Sequence, residues 1–129
     1  MKEAISTDRA ASAVGPYSQG VSARAGTLLF TAGQIGIDPG TGELVEGGVL
    51  PQFEQAMQNL SAILEAGGAD LSNVVKTTVF FADLGDFVAV NERYATWFTE
   101  PFPARSAIEA KALPKGARIE VEAIAVRPE

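Results

Sequence analysis

The sequence predicts an α+β fold in which two amphipathic helices cover one face of a β-sheet. Two segments repeat apolar residues at three- and four-residue spacing, and several short runs are rich in β-branched and aromatic residues. These segments follow the order strands, helix, strand, helix, strands, which differs from the regular alternation of a doubly wound nucleotide fold. At this length and without a linker, residues 1–129 are predicted to form one domain.

The first third of the chain predicts two strands and a glycine-rich loop. The strands are Val21–Arg24 and Thr27–Gly33, placed around the turn Ala25-Gly26. The segment from Gln34 to Gly48 carries the turn signal Asp38-Pro39-Gly40 and is predicted to be a loop that allows a hairpin.

The middle of the chain predicts two helices on either side of a strand. The first helix runs from Pro51 to Ala66 and ends at Gly67-Gly68, and its apolar face comprises Phe53, Met57, Leu60 and Leu64. The strand Val74–Phe81 has apolar residues on both faces. Asp86 is the predicted cap of the second helix, whose face comprises Phe87, Val90, Tyr94 and Trp97 or Phe98 before Pro101 and Pro103 end it.

Two further strands complete the predicted sheet, Arg105–Ala110 and Arg118–Val126. Because two helices cover one face while the central strand is apolar on both, the second face is expected to meet another subunit. We therefore expect a homo-oligomer with pockets at its subunit junctions.

Composition and charge narrow the classes of function. The net charge of −6 and the absence of a basic run argue against a nucleic-acid partner. No apolar stretch approaches the roughly 20 residues that span a bilayer, and the N-terminus has no signal-like core, so we expect no membrane partner and a cytoplasmic location. The chain has neither His nor Cys, which excludes Ser–His–Asp and Cys–His catalysis and the usual zinc ligands. Acid–base chemistry must come from Asp, Glu, Tyr, Lys, water or the substrate.

Arg105 is the first candidate for a functional side chain. It follows a turn stiffened by Pro101 and Pro103, and a guanidinium can hold a carboxylate through two parallel hydrogen bonds. A surface ion pair explains such an arginine equally simply.

Glu120 and Glu122 are the candidates for proton transfer, since each places a carboxylate on a strand that is otherwise mostly apolar. They share one face of the last strand, and their spacing does not rank one above the other. The simpler alternative is a solvated face with cross-strand pairs to Arg105, Glu109 or Lys111.

Two glycine-containing segments complete the candidates. Gly15-Pro-Tyr-Ser-Gln-Gly20 places two hydroxyls on a stiff loop, although a plain turn with a half-buried tyrosine explains it too. Thr31-Ala-Gly-Gln-Ile35 ends a predicted strand at a glycine that allows close approach of a ligand.

Several segments, in order over nearly the full length, resemble the RidA (YjgF/YER-type) family. They are Gly15-Pro-Tyr-Ser-Gln-Gly20, Ala32-Gly-Gln-Ile35, Val75-Lys-Thr-Thr-Val79, Asp83-Leu-Gly-Asp-Phe87 with Val90-Asn91, Pro103-Ala-Arg-Ser106, and Leu113-Pro-Lys with Ile119-Glu-Val-Glu-Ala-Ile-Ala-Val126. The resemblance implies a chorismate-mutase-like fold with a mixed sheet, assembled as a homotrimer with ligand sites between subunits. It also implies hydrolysis of reactive 2-imino acids (2-iminobutanoate, 2-iminopropanoate) or their enamines to 2-keto acids and ammonia, which protects pyridoxal-phosphate enzymes. No cofactor or metal is implied.

Carried over by position, the resemblance implies a role for five residues. Arg105 grips the substrate carboxylate, Glu120 orients and activates the attacking water, and Tyr17 closes the pocket. Gly33 lies in a segment whose backbone lines the pocket. Ala107 replaces a cysteine that is common in the family, and its backbone amide remains a possible donor to the carboxylate. The link between Phe98-Thr-Glu100 and Phe102 is shorter than in typical members, so the pocket rim and the substrate preference are expected to differ.

Two other functions remain open on the sequence. A non-catalytic trimeric sensor of 2-keto acids or similar carboxylates would use Arg105 without needing Glu120. A mutase for a dicarboxylate would need further cations near Arg105, for which the candidates are Arg24, Arg93 and Arg118.

Overall fold

The structure, a computed structural model, describes residues 2–129. Its six strands and two helices are, in chain order, β1 (Lys2–Ile5), β2 (Gly20–Ala23), β3 (Gly26–Phe30), α1 (Val49–Ala66), β4 (Val74–Phe81), α2 (Phe87–Trp97), β5 (Ala104–Glu109) and β6 (Ile119–Pro128). No helix within this range is long and apolar enough to cross a membrane.

Four strands form a mixed sheet in the order β3-β6-β4-β5. The pairs β3–β6 and β4–β6 are antiparallel, whereas β4 and β5 run parallel because α2 carries the chain back between them. Both helices lie on one face of this sheet and enclose the core, which confirms the predicted α+β architecture. That core holds Phe53, Met57, Leu60 and Leu64 of α1, Val79 and Phe81 of β4, Val90 and Tyr94 of α2, and Ile119 and Val121 of β6.

Helix α1 buries the predicted face and ends at the predicted glycines. The amide of Gly67 donates to the carbonyls of Ile63 and Leu64, and Gly68 has a φ of 83°, a conformation that costs glycine little. The helix begins at Val49, two residues before the predicted start, because Pro51 fits within a first turn that needs no amide donor there.

The two strands predicted on either side of the turn Ala25-Gly26 do not pair with each other. β2 pairs with β1, a strand that the sequence pattern did not predict, and β3 pairs with the C-terminal strand β6. A Cβ on Gly26 would overlap the carbonyl oxygen of Arg127, so the start of β3 requires glycine to approach β6.

The strand predicted at Thr27–Gly33 ends at Phe30, and the chain then bulges away from β6. Thr31 remains attached, since its amide donates to the carbonyl of Ala123 at 3.0 Å and its hydroxyl accepts from the Ala123 amide at 3.0 Å. Pairing resumes at Gln34, which exchanges two backbone hydrogen bonds with Val121. Ala32 and Gly33 therefore form a bulge over β6.

Asp86 stands at the predicted start of α2 but makes no side-chain cap. Its carboxylate accepts two hydrogen bonds from the Arg118 guanidinium, at 2.8 and 3.0 Å. Asp83 accepts instead from the amide of Gly85 and caps the short 3₁₀ turn Leu84–Asp86 that leads into α2. The Asp86 carboxylate, which the sequence predicted to cap α2, instead links α2 to Arg118, just before β6.

Candidate functional site

Arg105 lies near the start of β5, an edge strand, with its side chain on the face that carries the helices. It is paired in register with Thr77 of β4, whose hydroxyl contacts Tyr94 of α2, so both side chains point toward α2. One terminal nitrogen of Arg105 (Nη1) donates to Oδ1 of Asn91 at 2.6 Å. The guanidinium is therefore half-buried beneath α2, at an open margin of the sheet.

Three aromatic rings surround this guanidinium. Its central carbon lies 4.8 Å from the ring centre of Tyr94, 5.0 Å from that of Tyr17 and 5.4 Å from that of Phe87. The negative faces of the rings attract the cation, but unlike a carboxylate they do not neutralise its charge. Burial lowers the pKa of Arg105, with a smaller opposing contribution from the two tyrosines. The group stays charged, since a guanidinium does not deprotonate in proteins.

Arg105 has no carboxylate partner within residues 2–129. The two ion pairs of this range belong to other arginines, Arg93 with Glu54 at 3.4 Å and Arg118 with Asp86 at 2.8 Å. The surface ion pair that competed with a functional role for Arg105 is thus not formed. We refer to Arg105, Tyr17, Phe87, Asn91 and Tyr94 as the arginine cluster.

Tyr94 fixes the floor of the arginine cluster. Its hydroxyl lies 2.8 Å from that of Thr77, and its ring packs 4.8 Å from that of Phe98. Burial raises the pKa of Tyr94 to about 12, while the bond to Thr77 and the charge of Arg105 act in the opposite direction. Tyr94 is therefore a neutral, fixed surface on which the guanidinium rests.

The loop that carries Tyr17 is bound to the start of β5. Ser18 donates from its hydroxyl to the carbonyl of Phe102 at 2.6 Å and from its amide to the carbonyl of Pro103 at 3.1 Å. Gly15 has a φ of 149°, which residues with a side chain rarely adopt. The Tyr17 amide donates to the Gly15 carbonyl at 2.8 Å and closes a tight turn. The Gly-Pro-Tyr-Ser segment thus places the Tyr17 ring over Arg105. This segment is a turn, as the simpler sequence interpretation held, and it also forms one side of the arginine cluster.

Ala107 lies two residues beyond Arg105 on the same face of β5. It lines a small recess between the sheet and α2 together with Arg105, Asn91, Val79, Phe81, Phe87, Val90 and Tyr94. Most of these side chains are apolar, and in the single chain the recess is no larger than a water molecule.

Glu120 and Gly33 form a second, separate cluster, which we call the glutamate cluster. Glu120 is paired in register with Phe80 of β4, on the face of the sheet that the helices leave open. The bulge places Gly33 against the Glu120 carboxylate so closely that a Cβ would overlap Oε2. Within residues 2–129 the Glu120 carboxylate makes no side-chain hydrogen bond and no ion pair. The cross-strand ion pairs considered for it from the sequence are therefore not formed.

One chain does not bring the two clusters together. Arg105 and Glu120 lie on opposite faces, two strands apart across the sheet and three residues apart along it. At ordinary strand spacing and rise their Cα atoms are about 14 Å apart, which exceeds the reach of a four-carbon acid.

Sequence reasoning missed Asn91, Phe87 and Tyr94 as parts of the site. Phe87 and Tyr94 were assigned only to the core face of α2, and Asn91 was noted only as part of a motif. The available signal was a polar residue on that apolar face, because Asn91 lies four residues after Phe87 and three before Tyr94.

Comparison with known proteins identifies relatives over almost the whole chain. The family model described as Endoribonuclease L-PSP matches residues 7–127. A Mus musculus protein named 2-iminobutanoate/2-iminopropanoate deaminase is 50% identical over 127 residues, covering 98% of this chain and 93% of its own.

Two solved structures share the fold at high sequence identity. RidA from the Antarctic bacterium Psychrobacter sp. PAMC 21119 has a TM-score of 0.75 and 44% identity, covering 96% of this chain and 98% of its own. E. coli TdcF with bound serine has a TM-score of 0.74 and 41% identity, covering 97% of this chain and 98% of its own.

Proposed function

Because the chain belongs to the RidA/YjgF family described as Endoribonuclease L-PSP, we propose that it hydrolyses 2-iminobutanoate and 2-iminopropanoate, or their enamines, to 2-keto acids and ammonia. The observation that carries the proposal is the Arg105 guanidinium, half-buried, oriented and without a carboxylate of its own chain. Such a cation suits a small carboxylic acid, and the deaminase relatives are named for substrates of this class. Clearing these intermediates would protect pyridoxal-phosphate enzymes from damage.

The reaction needs little from the protein beyond binding and proton transfer. Arg105 holds the carboxylate, and a water molecule held by Glu120 attacks the electrophilic carbon of the C=N bond. Glu120 takes a proton from that water and passes it to nitrogen, which gives a carbinolamine. The proton of the new hydroxyl then moves to nitrogen through the same carboxylate, the C–N bond breaks, and ammonia leaves as the C=O bond forms. Tyr17 covers the pocket, Ala107 contributes its backbone amide to the carboxylate, and the backbone at Gly33 lines the side next to Glu120. No cofactor or metal takes part in this scheme.

We further propose that each site combines the arginine cluster of one chain with the glutamate cluster of the next, in a chorismate-mutase-like homotrimer. Two observations support this arrangement: the clusters are too far apart within one chain, and the open face that holds Glu120 also carries the exposed apolar side chains of Leu28, Phe30 and Ile108. A cyclic assembly places a copy of the second cluster beside each copy of the first.

The family description mentions RNA cleavage, but this chain suits a small acid better. RNA binding needs several phosphate contacts from clustered Lys and Arg, whereas the net charge here is −6 and one unpaired guanidinium lies in a small recess. General acid–base work on RNA would also have to proceed without histidine. The mutase alternative loses support because Arg93 and Arg118 are already paired with carboxylates elsewhere.

The proposal is tested by coupling the protein to a threonine dehydratase. Release of 2-ketobutyrate is followed while semicarbazide competes for the imine, and wild type is expected to suppress semicarbazone formation. Arg105→Lys keeps the charge but loses the two-point contact, so kcat/KM should fall by about 10- to 100-fold. Full activity in Arg105→Ala would overturn the assignment.

Glu120→Gln separates a deaminase from a sensor, with Glu122→Gln as the matched control on the same strand face. Turnover should fall about 10²- to 10⁴-fold in Glu120→Gln, while 2-ketobutyrate binding and the Glu122→Gln variant stay close to wild type. Binding of 2-ketobutyrate by a wild-type protein without turnover would favour the sensor.

A further inference from the structure

We propose that Asn91 is a positioning residue for carboxylate binding, and that it works because it is neutral. It fixes the orientation of the Arg105 guanidinium while leaving its positive charge for the substrate. The inference rests on the proposed function, whose substrate binds Arg105 through a carboxylate, and concerns a residue to which that proposal gives no role.

The position of Asn91 requires a reason other than helix stability. Asparagine is a poor helix former, and here it stands in the middle of α2 between two aromatic residues that face the sheet. Its Oδ1 accepts from Nη1 of Arg105 at 2.6 Å, a short bond to a charged donor. The side chain is thus directed at the guanidinium rather than at water.

The other end of the Asn91 amide faces the loop that carries Tyr17. A Cβ built on Gly15 would lie 3.5 Å from Nδ2 of Asn91 and 4.0 Å from Nη2 of Arg105. The loop therefore packs close to both Asn91 and the guanidinium. One of the five N–H groups of Arg105 is bound to Asn91, and the hydrogen bonds of residues 2–129 leave the others for a ligand.

Two other arginines show what a carboxylate partner would do. Arg118 donates two hydrogen bonds to Asp86, and Arg93 pairs with Glu54, so both cations are neutralised where they serve the fold. An aspartate at position 91 would reach Arg105 with the same geometry as asparagine. It would then compete with the substrate for the same charge.

Asn91→Asp is the decisive variant, because it changes one atom and adds one negative charge. We expect KM to rise by about 10- to 100-fold, with kcat within about 3-fold of wild type. The affinity for 2-ketobutyrate, measured by titration calorimetry, should fall by the same factor as KM rises. The melting temperature should not decrease, since the new carboxylate gains an ion pair. A merely structural residue would not give this combination.

Ala89→Asp is the matched control, because it adds the same charge to an exposed position on the opposite side of α2. It should leave KM and 2-ketobutyrate affinity unchanged. Asn91→Ala removes the orienting bond without adding charge, and its KM should rise less than that of Asn91→Asp.

Unchanged ligand affinity in Asn91→Asp would overturn the inference, and so would a loss confined to kcat. An equal loss in Ala89→Asp would also overturn it, since the effect would then be one of overall charge. Should wild type lack deaminase activity, the proposed function fails, yet the affinity of Asn91→Asp for 2-ketobutyrate still decides the role of Asn91.

Discussion

At the scale of single residues, the role of a side chain here depends on which groups lie around it. The chain contains several arginines, and nothing in their local sequence tells which will lack a carboxylate partner. The turn before Arg105 and its place at the start of a strand were predictable. Its contacts with Asn91 and Tyr94 were not, because these residues reach it only through the packing of α2 on the sheet.

Glu120 and Glu122 show the same limit. They have the same spacing and the same face, so the residue pattern left them unranked and only the family resemblance singled out Glu120. In the structure, what distinguishes them is Gly33, which lies in the bulge after β3 and against the Glu120 carboxylate. The expected role of Glu120 in catalysis stays a prediction, with a structural reason for preferring it.

Gly33→Ala is therefore expected to affect catalysis more than folding. The added Cβ would overlap Oε2 of Glu120, and the flexible end of that side chain can turn aside without moving the sheet. We expect kcat to fall at least about 10-fold, while the free energy of unfolding changes by less than about 1 kcal/mol. In a Glu120→Gln background the same substitution should have almost no further effect on kcat. Additive losses in the double variant would show that Gly33 acts independently of Glu120.

At the scale of elements, local pattern predicted the elements better than their pairing. Both helices and five of the six strands follow from spacing and residue type. The pairing of β2 with β1 and of β3 with β6 depends on residues from the two ends of the chain, so the order of the strands along the sequence does not reveal it. The bulge after Phe30 was equally hidden, because it depends on Thr31 supplying a hydroxyl where a regular strand supplies a carbonyl.

Thr31→Val tests whether this bulge positions the glutamate cluster. Valine keeps the shape but leaves the Ala123 amide without its acceptor, which should lower the free energy of unfolding by about 1–3 kcal/mol. Since Thr31 holds the segment that carries Gly33, kcat should fall as well. Thr31→Ser retains the hydroxyl and should keep both properties near wild type. Chemical denaturation and the coupled imine assay measure the two effects, and equal losses in Val and Ser variants would contradict the assigned role of the hydroxyl.

At the scale of the whole molecule, the open face of the sheet carries large exposed apolar side chains. Phe30 is 68% exposed, Leu28 56% and Ile108 48%, and all three lie on the face opposite the helices, as does Glu120. The sequence predicted an apolar second face from the pattern of β4. It did not predict that the arginine cluster and the glutamate cluster would lie on opposite faces, because that depends on which way each strand turns its side chains in the assembled sheet.

Mixing two inactive variants tests whether neighbouring chains share the site. Arg105→Ala retains the glutamate cluster and Glu120→Gln retains the arginine cluster, so each alone should be inactive in the coupled imine assay. In trimers assembled at random from equal amounts, about a quarter of the sites would pair an intact Arg105 with an intact Glu120 from the next chain. Activity should therefore return to roughly that fraction of wild type, whereas the double variant Arg105→Ala/Glu120→Gln mixed with either single variant should restore none. Two different affinity tags and mass spectrometry establish that mixed trimers have formed. Mixed trimers without activity would mean that Arg105 and Glu120 must act from the same chain, and the shared site would have to be abandoned.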